Sequence, residues 1–465
     1  MRNRLAMFIC SAAATCVAGA GGCDSGKERG VKSSAPAAKG EALKKAHAAK
    51  KPTGEKAADP AADQSGAAPA DPPKGLLVAY AQFEIGPDGR ATAEPGPARL
   101  EILSRKQGRW KIEVIEDPES NVMHKAMTSR PKSGRAGIIA FAGSAATVKL
   151  WRRTAQGFQS QTLWKEDFGG KFSRMRDAEV ADLYGDGQPA VAVGTHDQGL
   201  VAVVRPDGKG GYGVVKLGSK PATFIHEIEI GDLDGDGTLE VYATPSEPNR
   251  MDKAEQKGMV IRYIPKEKKG PVVVADLENR HAKEILVDDV DGDGRDELYA
   301  AVEALTTRRG GSVRIVEPIE IRRYDADTAP DAGQVVATLD DRFCRFLTAG
   351  DVDGDGREEM VAAAFRSGVW LLRPPAAGGE QPERARGKWT VTSIDRNSSG
   401  FEHAALLTDL DGDGRDELYV AADDQGELHR YLWKEGAFQR ETISGRAVPA
   451  AMMTWNLMPF TVADL

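Results

Sequence analysis

Four nine-residue segments carry aspartate at positions 1, 3 and 5, glycine at 4 and 6, and glutamate at 9: Asp232–Glu240, Asp289–Glu297, Asp351–Glu359 and Asp409–Glu417. Alternate carboxylates on a tight turn converge on one centre, and glycine lets the backbone curl without a Cβ clash. The expected ligands are Asp232, Asp234, Asp236 and Glu240; Asp289, Asp291, Asp293 and Glu297; Asp351, Asp353, Asp355 and Glu359; and Asp409, Asp411, Asp413 and Glu417. Position 7 (Thr238, Arg295, Arg357 or Arg415) can add a main-chain carbonyl. A flexible all-oxygen shell suits Ca2+ better than Zn2+ or Cu2+, and Mg2+ prefers fewer protein ligands and more water. A fifth segment keeps Asp182 and Asp186 but has Tyr184 and Ala190 at ligand positions, so it is expected to be empty or weakly occupied.

The first aspartates, Asp182, Asp232, Asp289, Asp351 and Asp409, recur at intervals of 50, 57, 62 and 58 residues. Each turn lies between alternating apolar runs such as Ile228–Gly231 and Glu297–Ala301, and two further strand-like runs complete each unit. Four short strands per unit of this length is the period of a propeller blade. Five units carry the turn or its remnant. A sixth spans about residues 115–166, with Met127 to Arg135 where the acidic turn would be. A seventh is split: residues 76–114 supply three strands and Ala450–Thr454 the fourth, which closes the ring and removes two open sheet edges. The expected fold is all-β, a seven-bladed β-propeller of four-stranded blades over residues 75–465, with six or eight blades as the alternative counts.

An EF-hand begins in the same way but needs a bidentate glutamate at position 12. Here that position holds Ala243, Ala300, Ala362 or Val420, and the turn joins strands rather than helices. The pattern instead resembles the FG-GAP and VCBS repeats of integrin α-subunit-like propellers. The resemblance implies about four bound Ca2+ ions. Residues 75–465 hold 50 Lys and Arg against 63 Asp and Glu, a net charge of −13. Acidic turns without metal would crowd like charges, so the metal is expected to be structural, with Kd around 10⁻⁴–10⁻³ M as in extracellular modules.

Six residues before each first aspartate stand Arg176, His226, Lys283, Arg345 and His403, with His124 in the same place in the metal-free unit. In a propeller this is the start of the innermost strand, beside the central channel and opposite the metal turns. A basic ring there would focus a positive potential and suit a carboxylate, phosphate or acidic sugar. The alternative is that these residues cap strand entries or pair with Asp177, Glu227 and Glu284. Glu227 and Glu402 are spare carboxylates near the channel, whereas His47, His196 and His429 stand alone. No zinc-spaced His/Cys cluster, nucleophile elbow, P-loop or dinucleotide fingerprint is present.

Residues 1–22 read as a lipoprotein signal: Arg2 and Arg4, an apolar run from Leu5 to Val17, then small residues before Cys23. These small residues resemble a bacterial lipobox, with Ala20 where leucine is usual, and the resemblance implies lipidation of Cys23. An ordinary signal peptide cut nearby is the alternative. Residues 23–74 are rich in Ala, Lys and Pro, lack apolar periodicity and read as a disordered tether. The whole chain of 465 residues has a net charge of −8, which argues against nucleic acid as a partner. With Cys10 and Cys16 in the signal and Cys23 acylated, Cys344 is the remaining thiol. The sequence therefore reads as a monomeric Ca2+ propeller, lipid-anchored at the cell envelope and more readily at the outer membrane or cell surface. Its expected role is binding a protein or glycan ligand, with membrane contact through the anchor alone. The alternative is an enzyme similar to propeller polysaccharide lyases, with the channel bases neutralising an acidic glycan.

Overall fold

A computed structural model describes residues 74–465, apart from 107, 132–134, 144–145, 170–172, 248–256, 311, 376–386 and 462–464. The signal, Cys23 and the tether up to residue 73 lie outside the described residues.

The chain forms seven antiparallel blades. Blade 1 holds β1 (Lys74–Ile85), β2 (Ala91–Pro95), β3 (Ala98–Lys106) and β4 (Arg109–Asp117). Blade 2 is β5 (Met123–Ser129), β6 (Gly137–Ala142), β7 (Thr147–Thr154) and β8 (Gly157–Lys165). Blade 3 is β9 (Met175–Ala181), β10 (Ala190–Thr195), β11 (Val201–Pro206) and β12 (Tyr212–Gly218). Blade 4 is β13 (Phe224–Gly231), β14 (Glu240–Ser246), β15 (Met259–Ile264) and β16 (Lys269–Asp276). Blade 5 is β17 (Ala282–Asp288), β18 (Glu297–Val302), β21 (Ile319–Tyr324) and β22 (Gln334–Leu339), with an inserted hairpin of β19 (Leu305–Arg309) and β20 (Ser312–Glu317). Blade 6 is β23 (Cys344–Gly350), β24 (Glu359–Ala364), β25 (Val369–Arg373) and β26 (Thr390–Asp395). Blade 7 is β27 (Ala405–Thr408), β28 (Glu417–Ala422), β29 (Glu427–Lys434) and β30 (Ala437–Gly445). The last strand, β31 (Met452–Thr461), pairs with β1 and is the innermost strand of blade 1. The innermost strands then neighbour one another in the order β31, β5, β9, β13, β17, β23, β27 and back to β31.

Burial explains the strand compositions. The second strands of blades 3, 5, 6 and 7 are buried along their whole length and read AVAVGT, ELYAAV, EMVAAA and ELYVAA. Each lies between neighbouring blades, so both of its faces are covered, and small or β-branched side chains let the sheets approach. Outer strands such as β30 and β16 are mostly exposed. Seven apolar clusters sit at the seven blade interfaces; Tyr299 and Ile321 of blade 5, for example, share one with Leu347 and Met360 of blade 6.

Two expected details shift. Met127–Ser129 belongs to β5, so the non-acidic turn of blade 2 starts at Arg130. Pro449–Ala451 forms a 3-10 turn, and the closing strand runs on to Thr461, longer than the apolar run Ala450–Thr454 suggested.

Candidate functional site

The acidic turns share one backbone conformation, organised by the first aspartate. Asp232 accepts hydrogen bonds from Asp236 N (3.0 Å) and Gly237 N (2.7 Å), and Asp289 from Asp293 N (2.9 Å) and Gly294 N (2.8 Å). Asp351 does the same for Asp355 N and Gly356 N, and Asp409 for Gly412 N and Gly414 N. The glycines at positions 4 and 6 have positive φ throughout, from +67° at Gly235 to +90° at Gly294. The degraded turn is built alike: Asp182 accepts from Asp186 N and Gly187 N, and Gly185 and Gly187 have φ of +68° and +77°. Position 7 lies next in the turn, and the main-chain N–H of Thr238, Arg295, Arg357 or Arg415 donates to the position-5 aspartate at 2.7–3.0 Å.

Carboxylate oxygens of Asp289, Asp291, Asp293 and Glu297 lie within 4.8 Å of one another. So do those of Asp232, Asp234 and Asp236; of Asp351, Asp353 and Asp355; and of Asp409, Asp411 and Glu417. These clusters can hold metal ions. Asp353 Oδ1 is buried and accepts no hydrogen bond, the condition of an oxygen suited to a cation. The position-9 glutamates are all buried, and Glu240, Glu359 and Glu417 each accept from the main-chain N–H of position 2 of their turns. Glu417 accepts from Leu410 N (3.0 Å) and from the Tyr419 hydroxyl (3.0 Å), and Glu297 from the Tyr299 hydroxyl (3.2 Å). Burial raises the Glu297 carboxyl to about 8 and that of Glu417 to about 7.

Sequence reading missed a partner of these acids. The third strand of each intact blade carries an arginine that reaches positions 3 and 9 together. Arg262 lies 3.3 Å from Asp234 and 2.8 Å from Glu240; Arg323 lies 2.8 Å from Asp291 and 3.3 Å from Glu297. Arg373 lies 2.9 Å from Asp353 and 3.2 Å from Glu359, and Arg430 pairs with Asp411 and Glu417. These guanidiniums relieve the crowding of like charge that the bare sequence implied. Cross-strand register places Arg262, Arg323 and Arg430 opposite Tyr242, Tyr299 and Tyr419. The turns also interlock between blades: Asp296 accepts from Asp232 N (2.6 Å), and Asp416 from Asp351 N (2.9 Å).

At the other end of the innermost strands, pairing register slips at one depth in six blades. The slips skip His124 in β5, Arg176 in β9, His226 and Glu227 in β13, Lys283 and Glu284 in β17, Arg345 in β23 and Trp455 in β31. Bulges bend a strand and re-aim its side chains, and here Arg176, Lys283 and Arg345 gather around Glu303 and Glu402 in one largely buried cluster. Glu402, just before blade 7, lies 3.8 Å from Arg176 of blade 3 and 3.5 Å from Arg345 of blade 6, so ion pairs span the channel. Glu303 lies 3.1 Å from Arg345, 3.5 Å from Lys283 and 2.9 Å from His281. The Arg176 guanidinium lies 5.0 Å from the Trp455 ring centroid, and that of Arg345 lies 5.0 Å from Phe343 and 5.1 Å from Phe401.

This cluster departs from the expected basic ring in two ways. His403 does not join it. It sits at φ +59° just before β27, which has no slip, and its ring donates to Ala364 O (2.6 Å) and bonds Ser398 (2.7 Å). Glu402 reaches the channel in its place. The remaining histidines are neutral, because burial holds His226 and His124 well below the usual imidazole range. Arg176, Lys283 and Arg345 thus pair with the buried carboxylates of Glu303 and Glu402, a mixed site rather than a positive funnel. Burial also pulls Lys283 down to about 8, with Arg345 and Arg176 opposing its charge.

Deeper in the channel, Lys125 pairs with Asp177 (3.5 Å) and Glu179. Burial, then neighbouring carboxylates, hold Glu227 and Glu229 well above the usual carboxylate range. His196 bonds Asp197 (2.8 Å), and His429 pairs with Glu427 on the outer part of blade 7. Cys344 is a buried free thiol.

Residues 182–243 match the FG-GAP-like repeat family. The matched span starts at the degraded turn, Asp182, and contains the first intact one, Asp232–Glu240. Among solved structures, the chain is similar to the periplasmic gluconolactonase PpgL of Pseudomonas aeruginosa at 14% identity and a TM-score of 0.45, covering 84% of this chain and 99% of that one. It is also similar to apo AztD of Citrobacter koseri at 12% identity and a TM-score of 0.40, covering 84% of this chain and 98% of that one. No curated protein matches the sequence.

Proposed function

We propose that this protein is an envelope-anchored, Ca2+-binding propeller whose channel mouth binds an anionic group of a protein or glycan ligand. The observation that carries the reading is the shared register slip at Arg176, His226, Lys283 and Arg345, of which the three cations gather around Glu303 and Glu402 at the end of the innermost strands. A carboxylate, phosphate or sulfate entering there would exchange with Glu303 and Glu402 for the two guanidiniums, which suit planar, bidentate recognition. The acidic clusters on the opposite face would hold about four Ca2+ ions, one per intact turn. When bound, the ion supplies positive charge that ties the turn to its strands.

Lipidation of Cys23 would anchor the chain at the outer membrane or cell surface. The described chain starts at Lys74, paired with Thr461 and donating from its ammonium to Asp409 O (2.7 Å), so it enters at the acidic-turn face. The channel mouth lies on the other face, turned away from that attachment. The test is calorimetric titration of anionic ligands from envelope extracts into wild type and a Lys283→Met/Arg345→Gln double variant. Binding lost in a variant that melts normally supports the reading, and unchanged binding rejects it.

A second reading is a lyase-like enzyme acting on an acidic glycan. It is favoured by Lys283, a buried amine beside two arginines with its proton held only to about pH 8, a poise suited to a general base. Incubation with acidic polysaccharides would then raise ultraviolet absorbance through an unsaturated product. A flat trace with substrate bound leaves the binding-module reading.

A further inference from the structure

We infer that the groove between blades 2 and 3, on the acidic-turn face, is a second site that takes a short acidic oligosaccharide. Its cavity of about 880 Å3 is lined by Ser129, Pro131, Arg135, Arg152, Gln161 and Gln188, among others. That volume is in the range of small-molecule sites, roughly 300–1,000 Å3.

Charge singles this groove out. Blades 4 to 7 each present a turn with three aspartates and a glutamate, whereas the blade 2 turn has no acid from Arg130 to Arg135 and the blade 3 turn lacks two of its four. The carboxylates that do line the groove are already engaged. Asp186 pairs with Arg205, and Asp207 accepts from Lys209 N (2.8 Å) and Gly211 N (2.9 Å). Asp207 keeps its charge, since its partners are neutral main-chain N–H groups, but three arginines, Arg135, Arg152 and Arg205, outnumber the two carboxylates of the lining. Arg135 donates to the main-chain carbonyl of Arg153 (2.8 Å) and Arg152 to the Gln161 amide oxygen (3.1 Å), and among the described residues neither pairs with a carboxylate. Two guanidiniums that meet only neutral acceptors, with Arg152 Nε 3.5 Å from the Arg135 carbonyl, give the groove an excess of positive charge that favours an anion.

The rest of the lining fits sugar better than peptide. Gln161, Gln188 and Ser129 offer donors and acceptors for hydroxyls, and Pro189, Pro206 and the Tyr212 ring give apolar walls for the C–H faces of pyranose rings. Prolines at the rim lack the N–H that strand addition by a peptide would use. The groove is separate from the channel mouth, so each can fail alone.

The test uses the Ca2+-loaded full chain and titrates tri-galacturonic acid, neutral maltotriose and a hexaglutamate peptide. Tri-galacturonic acid is expected to bind and maltotriose not. Arg135→Gln/Arg152→Gln should weaken tri-galacturonic acid at least about tenfold with an unchanged melt, since each lost charge-assisted contact costs about that much or more. Lys283→Met/Arg345→Gln should leave that affinity in place. Equal binding of maltotriose, equal or tighter binding of hexaglutamate, loss only in the channel-mouth variant, or no binding of tri-galacturonic acid to wild type would each overturn the inference.

Discussion

The Arg205 guanidinium lies 3.9 Å from the centroid of the Tyr184 ring. In the intact blades the corresponding arginine meets an aspartate at that position of the turn. The degraded blade has exchanged a carboxylate for an aromatic face yet kept its cation, and its turn retains the same main-chain hydrogen bonds. The shape of the turn is therefore set by its first aspartate and two glycines, and its charge balance by an arginine from the third strand.

Removing that arginine should make the fold lean on metal. Arg323 is 5% exposed and faces Asp291 and Glu297, so Arg323→Gln leaves buried acids uncompensated. A loss of about 3 kcal/mol is expected in EDTA. Added Ca2+ should recover more of the melting temperature in the variant than it gains in wild type. Differential scanning calorimetry in EDTA and in Ca2+ reads both effects, and equal Ca2+ gains in the two proteins would count against the arginine's role.

Gly294→Ala isolates the backbone term. Its φ is +90°, and a Cβ there would meet nothing within 4 Å, so strain alone opposes the change. A left-handed alanine costs roughly 1–2 kcal/mol. Urea unfolding should show a loss of that size, with a single transition retained.

The propeller could be read from the sequence because its turns are local. Asp-x-Asp-Gly-Asp-Gly contains its own geometry, and a fixed stride of strands follows from it. The staples Arg262, Arg323, Arg373 and Arg430 were hidden because the connection between second and third strands varies in length, holding the β19–β20 hairpin in blade 5. The channel mouth was legible in part. Arg176, His226, Lys283 and Arg345 share one offset from their turns, but His403 shares it as well and turns away, because orientation there depends on a register slip that β27 lacks. Of the balancing carboxylates, Glu402 was legible because it adjoins His403 at the shared offset, whereas Glu303 follows β18 in a loop with no periodic signal.

The channel acids set a pH dependence. Glu227 and Glu229 face Asp177 and Glu179 of β9, Lys125 of β5 and Glu284 of β17, and burial above all raises their carboxyls. A raised carboxyl binds its proton more tightly when folded. Its contribution is complete below the unfolded value and is lost as pH rises through the folded one. Glu227→Gln/Glu229→Gln, which fixes the neutral form, should match wild type at pH 5 and melt a few degrees higher at pH 8. A variant less stable than wild type at pH 8 would reverse the assignment.

Ring closure rests on one strand. β31 pairs with β1 from Lys74 to Gln82 and completes blade 1. Deleting residues 452–465 bares the β1 edge and two apolar interfaces, those of Leu77 and Phe460 and of Val78 and Leu457. The truncated chain should lose its cooperative melt and aggregate. A sharp transition near the wild-type temperature would show that the other six blades hold the ring without it.

The most direct measurement is Ca2+ stoichiometry by calorimetric titration of the chelator-stripped protein. Four intact turns and one degraded turn predict about four equivalents, with Kd around 10⁻⁴–10⁻³ M. Asp291→Asn should remove one equivalent, and Asp186→Asn none. Absence of binding, or a stoichiometry unmoved by Asp291→Asn, would contradict the assignment of these turns as metal sites.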